Sequence, residues 1–364
     1  RQDETYERYN NMTGELKHKI LDSITQNEDE EYCFKLCDGK CPMLDDNGLC
    51  EIHKNLGEDY LGVVCKQFPR YSEYYGTIKE SGIGLACEEA ARIILSENRP
   101  FSMETAACDE EYEPSSEYDS SFALQIFAAR EAVFKILAKE SLSIHEKLIV
   151  ILDMGSKIQQ CINTDEYDNI KSVVNDYLKE GIAHTLDETR NLSDSGQFED
   201  ISLQQGIRRI LYPYEEMEVL NPEWEVILKD IIDSLFEQMS DEEYNILNEE
   251  FGTYMVSRAY EYRQLLEYLV FRYFAKSIYD YDFLGKCQML VTNFFVIRQM
   301  DIIRWLDNHR EYSFKDRMDV VHIFSRQVEY SEDNIENLYE DFIFDDIFKT
   351  DSLIAILWID SENI

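Results

Sequence analysis

Breakers are scarce in this chain. Of 364 residues, only 14 are glycine and 6 are proline. A turn-rich β-sandwich or barrel needs many more of both, so the balance favours helices. Positive charge is also scarce, with 35 Lys+Arg against 74 Asp+Glu and a formal net charge of −39. A field of that sign repels phosphate and argues against DNA, RNA and anionic membrane surfaces as partners. It suits a basic or lysine-bearing protein, and it also keeps the chain in solution. No apolar run is long enough to span a bilayer. The opening RQDETYERYN has neither the signal-peptide nor the transit-peptide pattern, so the expected location is cytoplasmic. The first residue is not Met, which leaves room for residues upstream.

Apolar residues make up 44% of the chain and aromatics 13%, mostly the 24 Tyr and 19 Phe. That supports a substantial core, and at this length either several domains or one helical body carrying a smaller module. The expected fold is mainly α: a multi-helix body with a small, loop-rich cysteine module near the N-terminus. The expected organisation is an N-terminal helix over 1–29, a cysteine-rich metal- or cluster-binding module over 30–100, and a helical domain over 101–364.

Apolar spacing predicts one amphipathic helix over 3–25, followed by a polar break at 28–31. Residues 32–50 read as loops and tight turns, 51–66 as two short helical turns around Gly57, 70–86 as a hairpin, and 87–96 as a helix start. Further helices are expected over 116–140, 144–163, 166–180, 223–239, 241–275, 277–299, 302–309, 315–330 and 332–348. Within 241–275, Val256, Tyr260, Leu265, Leu269, Tyr273 and Phe274 share helical spacing, the pattern of a central helix. The stretch 181–205 is polar with weak periodicity and is expected to be a long loop.

Cysteine is present in a telling place. Six of the nine lie between Cys33 and Cys87. Without a secretory signal, clustered cysteines point to metal ligation or redox chemistry ahead of disulfides. Cys33, Cys37 and Cys41 follow at intervals of four, then come Cys50, Cys65 and Cys87, with His53 close behind Cys50. Thiolates are soft ligands that suit zinc or an iron–sulfur cluster and not magnesium or calcium. There is no pair separated by two residues, so the run is not a zinc-finger pattern. Each cysteine alone could instead be a buried thiol, and Cys108, Cys161 and Cys287 are assigned to packing.

The motif GKCPMLDDNGLCEIHKNLGEDYLGVVCKQFPR over 39–70, then LACEEAARIIL over 85–95, and HIFSRQVEYSEDNIENLYE over 322–340 together resemble the flagellin lysine-N-methylases of the FliB type. The resemblance is dense only in 39–95. It implies methyl transfer from S-adenosylmethionine to lysine side chains of flagellin or another lysine-bearing protein, with a [4Fe-4S] cluster held by cysteines. Carried over position by position, the implied metal ligands are Cys41, Cys50, Cys65 and Cys87, with Cys33, Cys37 and His53 as additional candidates. Two departures stand out. A further cysteine-rich run, usual in the family ahead of the first tyrosine-bearing helix, is not in this sequence, and Glu88 replaces the usual Pro after the last cysteine.

Methyl transfer needs a neutral amine, whereas a free lysine has a pKa of about 10.4. Tyr71, Glu73, Tyr74 and Tyr75 are catalytic candidates, as a carboxylate and hydroxyls to take the proton and ring faces for the cationic sulfonium; the plain alternative is a hairpin with solvated tyrosines. Arg70 and Arg92 are candidates for the donor's carboxylate or for bracing the thiolates. The GxG in 81–86 lacks the rest of a dinucleotide-binding fingerprint. Two other functions fit the same cysteines: a non-catalytic helical binding protein with a structural four-cysteine zinc site recruiting a basic partner, and a redox or metal-handling protein whose thiols cycle.

Overall fold

The computed structural model describes residues 2–26, 32–37, 40–99, 101–107 and 119–362. The expected break at 28–31 and Cys108 lie outside the described residues. The protein is mainly α, with only two small two-stranded sheets among the described residues. It divides into two compact units, Arg1–Tyr71 and Ser72–Ile364. The cysteines from Cys33 to Cys65 therefore belong to the first unit and Cys87 to the second, a different division from the expected module over 30–100.

In the first unit, the single helix expected over 3–25 is two helices, Gln2–Asn10 and Glu15–Asp22. Gly14 separates them at φ +106°, a conformation that side chains other than glycine rarely adopt. A short antiparallel pair follows, Ile24–Gln26 with Tyr32–Phe34, in which Thr25 lies opposite Cys33. The chain then turns through isolated bridges, Cys37 to Lys40 and Leu44 to Cys50. Asp45 shapes the second of these turns, accepting from the backbone of Asn47 at 2.9 Å and Leu49 at 3.0 Å. Three short helical segments, Glu51–Leu56, Glu58–Tyr60 and Val63–Gln67, complete the unit. Its core is small: Tyr9, Ile20, Met43 and Ile52 are buried, with Cys41, Cys50 and Phe34 packed against them.

The second unit opens on a hairpin with strands Arg70–Tyr75 and Ile78–Ile83, the division between units falling in the first strand. The helix Glu88–Leu95 follows. The rest is helical. Ser143, Ser240 and Ser313 each open a helix with a reciprocal capping box to Glu146, Glu243 and Asp316, which satisfies otherwise orphaned backbone donors. The central element is Phe283–Asp307, buried along almost its whole length and all round its circumference. It packs against Ile144–Asn163, which in turn packs against Thr350–Glu362.

Several expectations are corrected here. The stretch 181–205 is not a long loop: Ile182–Asp194 is a helix, with Thr185, Leu186 and Thr189 facing inward. Polar residues take those inward positions because Thr185 donates to Asp153 at 2.6 Å and Thr189 to the Thr185 carbonyl at 2.9 Å. The helices expected at 277–299 and 302–309 are instead a short Ser277–Asp280 and one long Phe283–Asp307, divided where Tyr281 turns to φ +56°. The helix expected over 241–275 breaks at Val256–Arg258, and Val256 is exposed, so the buried part of that pattern begins after Tyr260. Thr350–Glu362 was not among the expected helices.

Candidate metal and ligand site

The first unit gathers three of the expected ligands. Cys41 and Cys50 lie on its core, Cys50 immediately ahead of the helix Glu51–Leu56. Cys65 lies in the helix Val63–Gln67. Its residue surface is exposed, but partial burial of the thiol raises its pKa, and the neighbouring Cys41 and Cys50 raise it further. Tyr9 sits at the same point. Burial, then Cys65, push its hydroxyl up to about 12, with Cys50 and Cys41 adding to the effect. That hydroxyl donates to the Tyr60 carbonyl at 2.7 Å, which pins the N-terminal helix to the turn before the third cysteine.

Beside this group is a cavity of about 520 Å³ with mainly apolar walls. Tyr6, Tyr9, Tyr32 and Phe34 supply the aromatic faces, and Cys33 and Cys65 supply two thiols. Tyr6 and Tyr32 are stacked, with ring centroids 4.1 Å apart. Such faces hold apolar groups and attract cations through the ring quadrupole. In the sequence, Tyr6 and Tyr9 fall inside the helix expected over 3–25, and neither they nor Tyr32 is singled out as a site residue. The available signal was the YCF triplet directly at the first cysteine of the run.

The donor chemistry of the first unit fits a thiolate-held centre. The raised pKa of Cys65 beside Cys41 and Cys50 reflects like-charge crowding that a bound cation relieves. Cys33, in the strand Tyr32–Phe34, and Cys37 are exposed, and so is His53 in the helix Glu51–Leu56. Among the described residues, no group of three or more Cys, His, Asp or Glu side chains is already arranged as a metal site. Cys87 precedes the helix Glu88–Leu95 in the second unit.

The remaining candidates are engaged elsewhere. Tyr75 is buried, edge-on to Phe127 and stacked on Tyr279, so it is not a solvated hairpin tyrosine. Burial, then Glu73 and Glu80, drive its hydroxyl well above the ordinary tyrosine range. Glu73 pairs with Lys276 at 3.0 Å. Lys79 lies over the Tyr74 ring, and Tyr71 is half-buried. Arg92 is tied to Glu89 on its own helix through two bonds of 2.8 and 2.6 Å, and Arg70 is exposed. Cys287 is buried as packing requires, and Cys161 is half-buried.

Among the described residues, no helix is long and apolar enough to cross a membrane. The FliB lysine N-methylase C-terminal domain matches residues 130–356, more than half the chain and entirely within the second unit. The flagellar biosynthetic protein FliU of Salmonella muenchen is 37% identical over 59 residues, which is 16% of this chain and 35% of that protein. Lysine-N-methylases of Salmonella typhimurium and Salmonella choleraesuis are each 37% identical over 59 residues, 16% of this chain and 15% of theirs. The chain thus spans about a third of the first of these relatives and less of the others. No solved structure matches.

Proposed function

Because the chain belongs to the FliB lysine N-methylase family, by its match across residues 130–356, we propose that it is a protein-lysine N-methyltransferase using S-adenosylmethionine, acting on flagellin or a similar lysine-bearing protein, and carrying a thiolate-held [4Fe-4S] cluster. The observation that carries the catalytic part of this reading is the family match. The cluster part rests on the convergence of Cys41, Cys50 and Cys65 around Tyr9.

The chemistry is a displacement at carbon. The lysine amine first loses a proton to water or a carboxylate. Its lone pair then forms the new nitrogen–carbon bond as the carbon–sulfur bond breaks, and the electron pair leaves with S-adenosylhomocysteine. The chain's strong negative charge draws a cationic lysine toward it and raises the encounter rate at low salt.

Cys41, Cys50 and Cys65 would hold the cluster, with Cys33 and Cys37 of the same unit as sources of a further ligand. When bound, a cluster supplies positive charge to offset the grouped thiolates and ties their loops together. Tyr9 holds the N-terminal helix beside them through its bond to the Tyr60 carbonyl.

The test is incubation of the purified chain with flagellin and methyl-labelled S-adenosylmethionine, read as label on lysine by peptide mass spectrometry. No transfer to any lysine-bearing protein would remove the catalytic reading. Elemental analysis and an anaerobic absorption spectrum test the cluster separately. About four irons with a broad band near ~400 nm support it. About one zinc and no colour would replace it with a structural zinc site and leave methyl transfer standing.

A further inference from the structure

The second unit holds a cavity of about 570 Å³ whose walls are charged. Four helices frame it: Glu88–Leu95, Pro222–Ile231, Phe283–Asp307 and Phe314–Val328. They bring Glu88, Glu223 and Asp319 to the same space as Arg304 and Arg326. Val226, Ile227 and Ile323 add an apolar wall. The volume is that of a small-molecule site.

Oppositely charged side chains that share a surface usually find one another. Here, among the described residues, none of these five forms a salt bridge or a side-chain hydrogen bond. Three carboxylates and two guanidiniums therefore face the cavity with their hydrogen-bonding capacity unspent.

His322 lines the same cavity and is half-buried. Its Nδ1 is buried with no hydrogen-bond partner. Burial, then Arg326, lower its pKa, against the opposing pull of Glu88 and Asp319. The imidazole is thus neutral near pH 7, and its free nitrogen is an unmet polar group at the edge of the cavity.

We propose that this cavity binds the aminocarboxylate end of a ligand carrying one net positive charge and that, on the methyltransferase reading above, this ligand is S-adenosylmethionine. The donor carries a sulfonium, an ammonium and a carboxylate. Its two positive groups and one negative group complement three carboxylates and two guanidiniums. Arg304 and Arg326 take the carboxylate, the acids face the ammonium, and the aliphatic wall accepts apolar surface. A phosphate dianion is disfavoured by the three carboxylates. A lysine within a protein has no free carboxylate for the arginines.

The test is isothermal titration of the full chain and of R304Q and R326Q with S-adenosylmethionine and with its decarboxylated analogue. Wild type is expected to prefer the intact donor. Each variant is expected to lose about tenfold or more in affinity for the intact donor, the scale of a lost charge-assisted hydrogen bond, with the analogue's affinity unchanged. Neither arginine is buried, and a misfolded variant would lose both ligands together, so the selective loss is diagnostic. If R304Q and R326Q bind the donor as wild type does, this assignment is overturned and the methyltransferase reading stands. If wild type does not bind the donor at all, the donor reading falls and this proposal with it.

Discussion

Arg317 donates to Asp301 at 2.6 Å inside the helical unit, and both side chains are almost wholly withdrawn from water. Tyr262 also donates to Asp301, at 2.5 Å, as does Tyr312, while Arg317 reaches Glu261 at 3.1 Å. Desolvation raises the Asp301 pKa, and Arg317 and the tyrosine bonds oppose that rise. A buried charge so enclosed depends on its partner.

The first prediction follows directly. R317M leaves Asp301 buried without its guanidinium, while Glu261 keeps Arg258 at 2.7 Å, and it should lower unfolding free energy by about 3–5 kcal/mol. Urea denaturation monitored by helical circular dichroism measures it. A loss below about 1 kcal/mol would mean that the network contributes no more than a surface pair.

A second prediction concerns acid. Arg298 donates to Asp360 at 2.8 Å, His145 bonds it at 2.6 Å, and Asn248 donates to its other oxygen. Desolvation opposes ionisation, but Arg298 and then His145 hold the carboxyl down to about 2. The folded pKa lies below the unfolded one, so this stabilisation is complete above about pH 4 and is lost as pH falls toward 2. Wild type should lose about 2 kcal/mol more than D360N across that window. Equal losses in the two proteins, in matched urea titrations, would count against the network.

The thiols give a third. C41A, C50A and C65A should each lose most of the bound metal of the full chain, while C161A keeps it, because Cys161 lies outside the group that couples to Tyr9. Iron and zinc counts after anaerobic purification decide it. Full metal content in C65A would move the centre away from this site.

A fourth tests packing alone. A Cβ on Gly155 would stand 2.5 Å from the Cys287 sulfur, at the contact between the helices Ile144–Asn163 and Phe283–Asp307. G155A should cost about 1–3 kcal/mol through overpacking, and adding C287A should recover most of it. Thermal melts of the single and double variants measure the coupling. Additive losses would show that the two positions do not compete for space.

What could be read in advance was local. The helical class followed from few breakers and a period near 3.6, and Ile144–Asn163 lies on its expected span because both its cap and its apolar stripe are neighbours in sequence. The cysteine run was legible for the same reason: Cys37 and Cys50 each close a short local bridge. Local reading misplaced 181–205, where the inward Thr185 is satisfied by Asp153 from another helix. It also missed Thr350–Glu362, whose place is set by packing against Ile144–Asn163.

Sequence alone determined the helical class and concentrated soft ligands in one stretch, because periodicity and turn chemistry act over a few residues. Only the tertiary structure decided which thiols share a field with Tyr9, that His145 meets Asp360 across 215 positions, and that Arg304, Arg326 and three carboxylates face one cavity. Those meetings depend on how helices far apart in sequence pack, and a 3.6-residue period carries no record of which helix will lie opposite.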